Sequence, residues 1–367
     1  MHKPLAITMG DPGGIGPEIV LKCFLKSLET NHSREVMKEA FVVGDLPHLE
    51  RARLSLGESA GLLQLKRIQS IDEIFEDGFI EVRSDGRRSV PVLEVVDKET
   101  KKAQETDLTL GAGETAPISR ISAFAGHIAA KNIFWGARAA LRSEVAALVT
   151  APINKQSLAL AGVEFAGHTE MLQFVSAEHI GVSLSQMPVR MMLASPELRV
   201  VLVSIHLSLR SAIEQVTVHN IVQTLKITHE SLSKVLGRAP RIAVAGLNPH
   251  SGEGGLMGQE ELEIIGPAIH NAKSIDPGMR VSGPFAPDTV FMQARTGSYD
   301  VVIAMYHDQG LIPIKYMGLD QGVNVTLGLP LIRTSPDHGT AFEIAGRGVA
   351  DPSSMWAAVE LARAFLN

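Results

Sequence analysis

Short runs of apolar residues alternate with longer stretches whose apolar positions recur at helical spacing, from one end of the chain to the other. The runs "LAIT", "AFVVGD", "AALVTAP", "RVVLVSIH", "RIAVAGL" and "DVVIAMYH" are near-continuous in Val, Ile, Leu and Ala, the signature of strands covered on both faces. Between them, "GPEIVLKCFLKSL", "SAFAGHIAAKNIFWGARAAL" and "VTVHNIVQTLKITHESLSKVL" have the periodicity of amphipathic helices. Strands separated by helices predict an α/β fold with a largely parallel, buried sheet. Residues 80–120 break the pattern: they are polar and turn-rich with one short apolar segment, and read as an excursion or an extra hairpin.

A length of 367 residues suits two domains. The expected division is residues 1–160 with 315–367 as one α/β domain and 161–314 as a second, the two interwoven. A net charge of −6 with both signs interspersed gives no nucleic-acid or membrane-surface footprint, so small molecules are the expected partners. The single cysteine, Cys23, excludes an internal disulfide framework and suits a reducing compartment. No stretch approaches the length of a membrane span, and the expectation is a cytoplasmic protein.

Three of the strand candidates lead to a histidine. "VVLVSIH" ends on His206, "IAVAGLNPH" reaches His250 and "VVIAMYH" ends on His307. In an open parallel sheet the carboxyl ends of the strands share one edge, where ligands bind. Three imidazoles brought there would make a metal site with positions left for substrate. Each taken singly is equally a hydrogen-bonded surface histidine. The His250 loop, "NPHSGEGGLMGQEE", has four glycines and reads as a binding loop or a long turn.

Other candidates gather around anions. In "GHTEMLQF", Thr169 reads as a helix N-cap with Glu170 in the first turn; His168 and Thr169 could line an anion site, or simply cap. Lys155 follows a strand end and faces the crevice or solvent. Arg333 leaves the apolar "LGLPLI" run toward an anion or a salt bridge. The chain lacks the G-x-x-x-x-G-K-[ST] phosphate loop. The only loose dinucleotide fingerprint, "GAGETA" (Gly111, Gly113, Ala116), follows polar residues and runs into Pro117, so it lacks the strand–turn–helix setting and is rejected.

The segments "GDPGGIGPEI", "TAPINK", "GHTE", "SIHLSLR", "GLNPHSGEGG", "MYHDQGLIPIK" and "GVNVTLGLPLIRTSPDHGTAFEIAGRG", in this order, resemble the PdxA family of 4-hydroxythreonine-4-phosphate dehydrogenases of vitamin B6 biosynthesis. The resemblance covers nearly the whole chain outside about residues 55–120. Both ends are also similar to the isocitrate/isopropylmalate dehydrogenase superfamily, which implies a two-domain α/β/α fold without a Rossmann fingerprint. On the matching positions it implies His206, His250 and His307 as ligands of one divalent metal (zinc, cobalt or magnesium). It implies His168, Thr169, Lys315, Asn324 and Arg333 as substrate-binding residues, and Asp337, His338, Gly339 and Thr340 in a loop holding the adenosine of NAD or NADP. A homodimer with its active site at the subunit interface is implied too.

The implied reaction is NAD(P)-dependent oxidation of 4-phosphooxy-L-threonine to a β-keto acid, which decarboxylates to 3-amino-2-oxopropyl phosphate. Asp308, Asp288 and Lys155 are the candidates for proton transfer or for supporting a histidine; a cap or surface turn serves equally for Asp288. Ser208, where relatives often have proline, and Pro336, where they often have an aliphatic residue, depart from the pattern. They leave a related dehydrogenase of 4-phospho-threonate, 4-phospho-erythronate or a cis-dihydrodiol as the alternative, with a zinc-dependent hydrolase beyond it.

Overall fold

The computed structural model describes residues 3–75, 82, 84–95, 120–318 and 321–366. "GAGETA" and most of the stretch read as an excursion lie outside the described residues. The chain divides into two compact units, residues 1–187 with 329–366, and residues 188–328. Both divisions fall later than the sequence places them. The reason is packing at each junction. The His168–Ile180 helix contributes Met171, Leu172 and Val175 to the core of the first unit, and Val323–Leu327 pairs antiparallel with Arg190–Ala194 in the second.

In the first unit the strands are β1 (Leu5–Thr8), β2 (Ala40–Val43), β3 (Leu63–Ile68), β4 (Arg88–Leu93) and β5 (Ala147–Thr150). The order is β3-β4-β2-β1-β5, and every pair is parallel. Within the stretch read as an excursion or an extra hairpin, residues 88–93 instead form a strand of the main sheet. "RSVPVL" is a fully buried interior strand. Its polar start is tolerated because the Arg88 guanidinium donates to the Met37 carbonyl at 2.8 Å and lies over the Phe24 ring. From β1 the chain moves to β2 on one side, with β5 on the other. The carboxyl ends of β1 and β5 therefore meet at a switch point, where Asp11 N donates to the Pro152 carbonyl at 2.9 Å.

The second unit contains β6 (Arg190–Ala194), β7 (Arg199–Leu202), β8 (Arg241–Ala245), β9 (Arg280–Phe285), β10 (Val301–Ala304) and β11 (Val323–Leu327), in the order β11-β6-β7-β10-β8-β9. β6 and β7 are antiparallel because a tight turn joins them, with Ser195 N donating to the Leu198 carbonyl at 2.8 Å. β7, β10, β8 and β9 are parallel neighbours. The chain then returns to the first unit through β12 (Arg333–Pro336), parallel to β5. β12 reads "RTSP" yet is buried throughout. The Thr334 hydroxyl is satisfied internally, donating through Oγ1 to the Ala358 carbonyl at 2.7 Å.

Helices fall where periodicity places them, at Gly16–Lys26, Ala123–Leu141 and Val218–Leu236. The His307–Met317 helix lies close on its sheet at Gly310. A methyl group there would stand 2.5 Å from Leu202 Cδ2 and 2.8 Å from Val200 Cγ1. Among the described residues no helix is long and apolar enough to cross a membrane.

Candidate functional site

β7, β10 and β8 are adjacent and parallel, with Ala304 opposite Leu202 and Ile303 opposite Val244. Their carboxyl ends share one edge of the second unit, and the loops leaving them carry His206, His307 and His250 in that spatial order. Each histidine stands a few residues beyond its strand. His206 is in the loop after β7, His307 opens the helix after β10, and His250 lies in the Pro249–Gly255 turn after β8. Asp288 is exposed in the first turn of the Pro287–Arg295 helix that follows β9, at the same edge.

The rings of His206 and His307 are 5.6 Å apart at their centres and inclined by 44°. His307 Nδ1 bonds Asp308 Oδ1 at 2.7 Å; in the neutral ring that donates from Nδ1 to the carboxylate, Nε2 is the nitrogen with the lone pair. Asp308 thus orients an imidazole. His206 and His250 both have left-handed backbone, with φ of 49° and 51°. From His250 to Gly254, five consecutive residues are left-handed, three of them not glycine. Such backbone persists only where its surroundings fix it. Among the described residues no three His, Cys, Asp or Glu side chains stand together closely enough to hold an ion. The structure brings two of the three histidines into one pair and places the third on the neighbouring strand's loop.

The remaining candidates divide between the units. In the second, Lys315 is half-buried in the last turn of the His307–Met317 helix, and Asn324 lies on β11 opposite Leu193. In the first, Arg333 opens β12, and its guanidinium donates through Nε and Nη2 to Thr150 Oγ1, at 3.0 and 2.8 Å. Burial brings its pKa down to about 10, with Glu170 acting the other way, so it remains a cation at neutral pH. His168 is the first residue of its helix. Burial, then the nearby Arg333 charge, holds its pKa well below 6.5, and its Nε2 is buried with no protein partner. A neutral imidazole and a buried guanidinium thus lie near one helix N-terminus, with the Glu170 carboxylate in the same first turn.

Thr169 is not the N-cap expected from sequence. Gly167 occupies that position in an extended conformation, and Thr169 is the second helical residue. The glycine cap supplies no side-chain acceptor to the first-turn N–H groups. Lys155 is exposed at the start of the Lys155–Leu160 helix.

The loop after β12 closes onto the loop after β1. Ile15 N donates to the Thr340 carbonyl at 2.9 Å, and Asp337 N donates to Ser354 Oγ at 3.1 Å. His338 Nδ1 bonds the Gly339 carbonyl at 3.0 Å, while its Nε2 is buried with no partner. Glu18 and Lys22 on the Gly16–Lys26 helix hold the next turn. Glu18 accepts from the Gly348 and Ala350 N–H groups, and Lys22 Nζ donates to both of those carbonyls.

Residues 36–362 match the family of the pyridoxal phosphate biosynthetic protein PdxA. The chain belongs to the PdxA family. Over 365 residues it is 46% identical to a 4-hydroxythreonine-4-phosphate dehydrogenase of Beijerinckia indica, covering 99% of this chain and 95% of that one. It is 38% identical to the D-threonate 4-phosphate dehydrogenase of Salmonella typhimurium, across 98% of both. Among solved structures it is similar to a 4-hydroxythreonine-4-phosphate dehydrogenase of Klebsiella pneumoniae, with a TM-score of 0.80, 37% identity and full coverage of both chains. These PdxA-family relatives are named as dehydrogenases, so oxidoreductase chemistry is the frame for the site. Ser208, one departure noted in the sequence, caps the Leu209–Glu214 helix, where its Oγ accepts from Ser211 N at 3.2 Å.

Proposed function

We propose that this chain is an NAD(P)-dependent, divalent-metal-dependent 4-hydroxythreonine-4-phosphate dehydrogenase. It would oxidise the C3 hydroxyl of 4-phosphooxy-L-threonine to a β-keto acid, which loses CO2 to give 3-amino-2-oxopropyl phosphate. The observation that carries this reading is the delivery of His206, His307 and His250 to one sheet edge by three adjacent parallel strands, in a chain 46% identical to a relative of that name.

The donor set fits a divalent cation. Two imidazoles that share one ion through nitrogens about 2.0–2.1 Å from it have ring centres roughly 4.5–6 Å apart, and the His206–His307 pair falls within that span at 5.6 Å. The carboxylate on the far nitrogen of His307 is the usual partner of a metal-binding histidine. His250 is assigned to the same ion because its loop leaves the strand next to that of His307. Nitrogen ligands favour zinc or cobalt over magnesium.

A bound cation would supply the Lewis acidity that makes the substrate hydroxyl more acidic, and a nicotinamide would supply the acceptor for hydride. The rest is the work of this chain. Arg333, His168 and Thr169, with Lys315 and Asn324, would hold the anionic groups of the substrate and fix its orientation. Asp308 keeps the His307 ring turned with Nε2 available. Asp288, exposed at the same edge, is the candidate to take the hydroxyl proton, and Lys155 the candidate to return one to the decarboxylated carbon. Asp337, His338, Gly339 and Thr340 would line the adenosine site.

The family resemblance also supports a homodimer. Ile312 and Tyr316, one turn apart on the His307–Met317 helix, are 63% and 93% exposed, an apolar face suited to a second copy. Light scattering should give twice the chain mass for the wild type and a lower mass for Tyr316→Asp; a wild-type monomer would refute it.

The second reading, D-threonate 4-phosphate as substrate, is favoured by the full-length match to that enzyme. Nicotinamide reduction measured with both compounds separates the two. The proposal expects the higher kcat/KM with 4-phosphooxy-L-threonine. A higher value with D-threonate 4-phosphate would transfer the assignment.

A further inference from the structure

The strained His250 loop needs something to hold it, and two side chains that the mechanism leaves unused meet its entry strand. Gln309 lies in the first turn of the His307–Met317 helix. Its Oε1 accepts from Met305 N at 2.7 Å, and its Nε2 donates to the Gly246 carbonyl at 2.7 Å. It thereby ties the end of β10, which leads to His307, to the end of β8, which leads to His250. The next two residues of the β8 loop are held from the other side. Glu261 is buried at the head of a π-helical turn, Glu261–Ile265, and accepts from Leu247 N and Asn248 N, each at 2.7 Å, and from Asn248 Nδ2 at 2.9 Å. Segment 246–248 is thus fixed by its carbonyl and its N–H groups, and His250 follows two residues later.

We propose that Gln309 is a positioning residue that sets the His250 loop against His307, with Glu261 completing the hold. The inference rests on the metal reading above. A site built from loops on separate strands is only as well formed as the bonds between those loops, and the Gln309 amide is a direct side-chain tie between the His307 and His250 segments. The amide is uncharged, so it sets the spacing of two backbones without changing the charge of the site. Groups that orient a ligand loop in this way typically influence metal affinity by about 10- to 100-fold.

The test is a cobalt titration of the metal-stripped full chain, followed by visible absorbance, with thermal unfolding of the metal-free proteins alongside. Gln309→Met removes both bonds at similar size. Gln309→Glu keeps the acceptor for Met305 N, replaces the donor to Gly246 by a carboxylate oxygen that repels that carbonyl, and adds a negative charge. Both should bind cobalt about 10- to 100-fold more weakly than wild type while the metal-free unfolding temperature stays close to wild type. His250→Ala should lose most of the binding. Wild-type binding that depends on His250, with Gln309→Met and Gln309→Glu unchanged in affinity, overturns this inference alone. A wild type that binds no cobalt, or binds it equally well without His250, removes the metal reading and this inference with it. Should Gln309→Met fail to fold, Gln309→Glu decides.

Discussion

Burial of His168 beside the cationic Arg333 makes its imidazole hard to protonate, which gives the protein a pH dependence of definite sign. Above the ordinary value of 6.5 the ring is neutral in both folded and unfolded chains and contributes nothing. Below it the unfolded chain takes up a proton that the folded one resists, so stability is lost as pH falls from 6.5 toward the depressed folded value. The urea midpoint of the wild type should therefore fall between about pH 7 and pH 5.5 more steeply than that of His168→Gln. Parallel profiles would mean that the ring protonates freely in the folded state. At this scale the sequence shows some residues and hides others. His206, His250 and His307 are visible because each ends or follows an aliphatic run. Gln309 and Glu261 are not, because an amide or carboxylate that bonds backbone atoms of a distant strand leaves no local pattern.

Among the elements, aliphatic runs mark β1, β2, β5, β7, β8 and β10, and their parallel order makes the shared histidine edge legible in outline. β4 and β12 are not legible, since their polar residues are paid for by contacts with remote parts of the chain: Met37 for Arg88, Ala358 for Thr334. The Thr169 cap fails for a related reason. A threonine followed by glutamate is a good local capping signal, but the extended Gly167 starts the helix earlier. The seating of the His307–Met317 helix on β7 and β10 depends on Gly310. Gly310→Ala would improve helix propensity by about 1 kcal/mol but would drive a methyl group into Leu202 and Val200. Overpacking of this kind costs about 1–3 kcal/mol, so a net loss is expected in the urea midpoint. An unchanged or higher midpoint would show that the helix can lift without cost.

On the scale of the whole molecule, the candidate metal ligands all belong to residues 188–328, whereas His168, Thr169, Arg333 and the Asp337–Thr340 loop belong to the other unit. The sequence placed Lys315 and Asn324 with the first unit because it ended the second at the His307 segment. The antiparallel pairing of β11 with β6 assigns both residues to the second, and such pairing between segments more than a hundred residues apart is not readable from local periodicity. The family resemblance and the strand order therefore support the same three histidines by separate routes. One rests on ordered motifs, the other on which strands are neighbours.

The most direct test of the account is nicotinamide reduction with 4-phosphooxy-L-threonine by metal-stripped protein, before and after cobalt or zinc is returned. His206→Ala, His250→Ala and His307→Ala would be measured beside the wild type. The account predicts turnover in the wild type only after the ion is restored, and its loss in all three variants, including His250, which stands outside the observed ring pair. Turnover that ignores the metal, or survives in His250→Ala, would contradict a three-histidine site at this edge of the sheet.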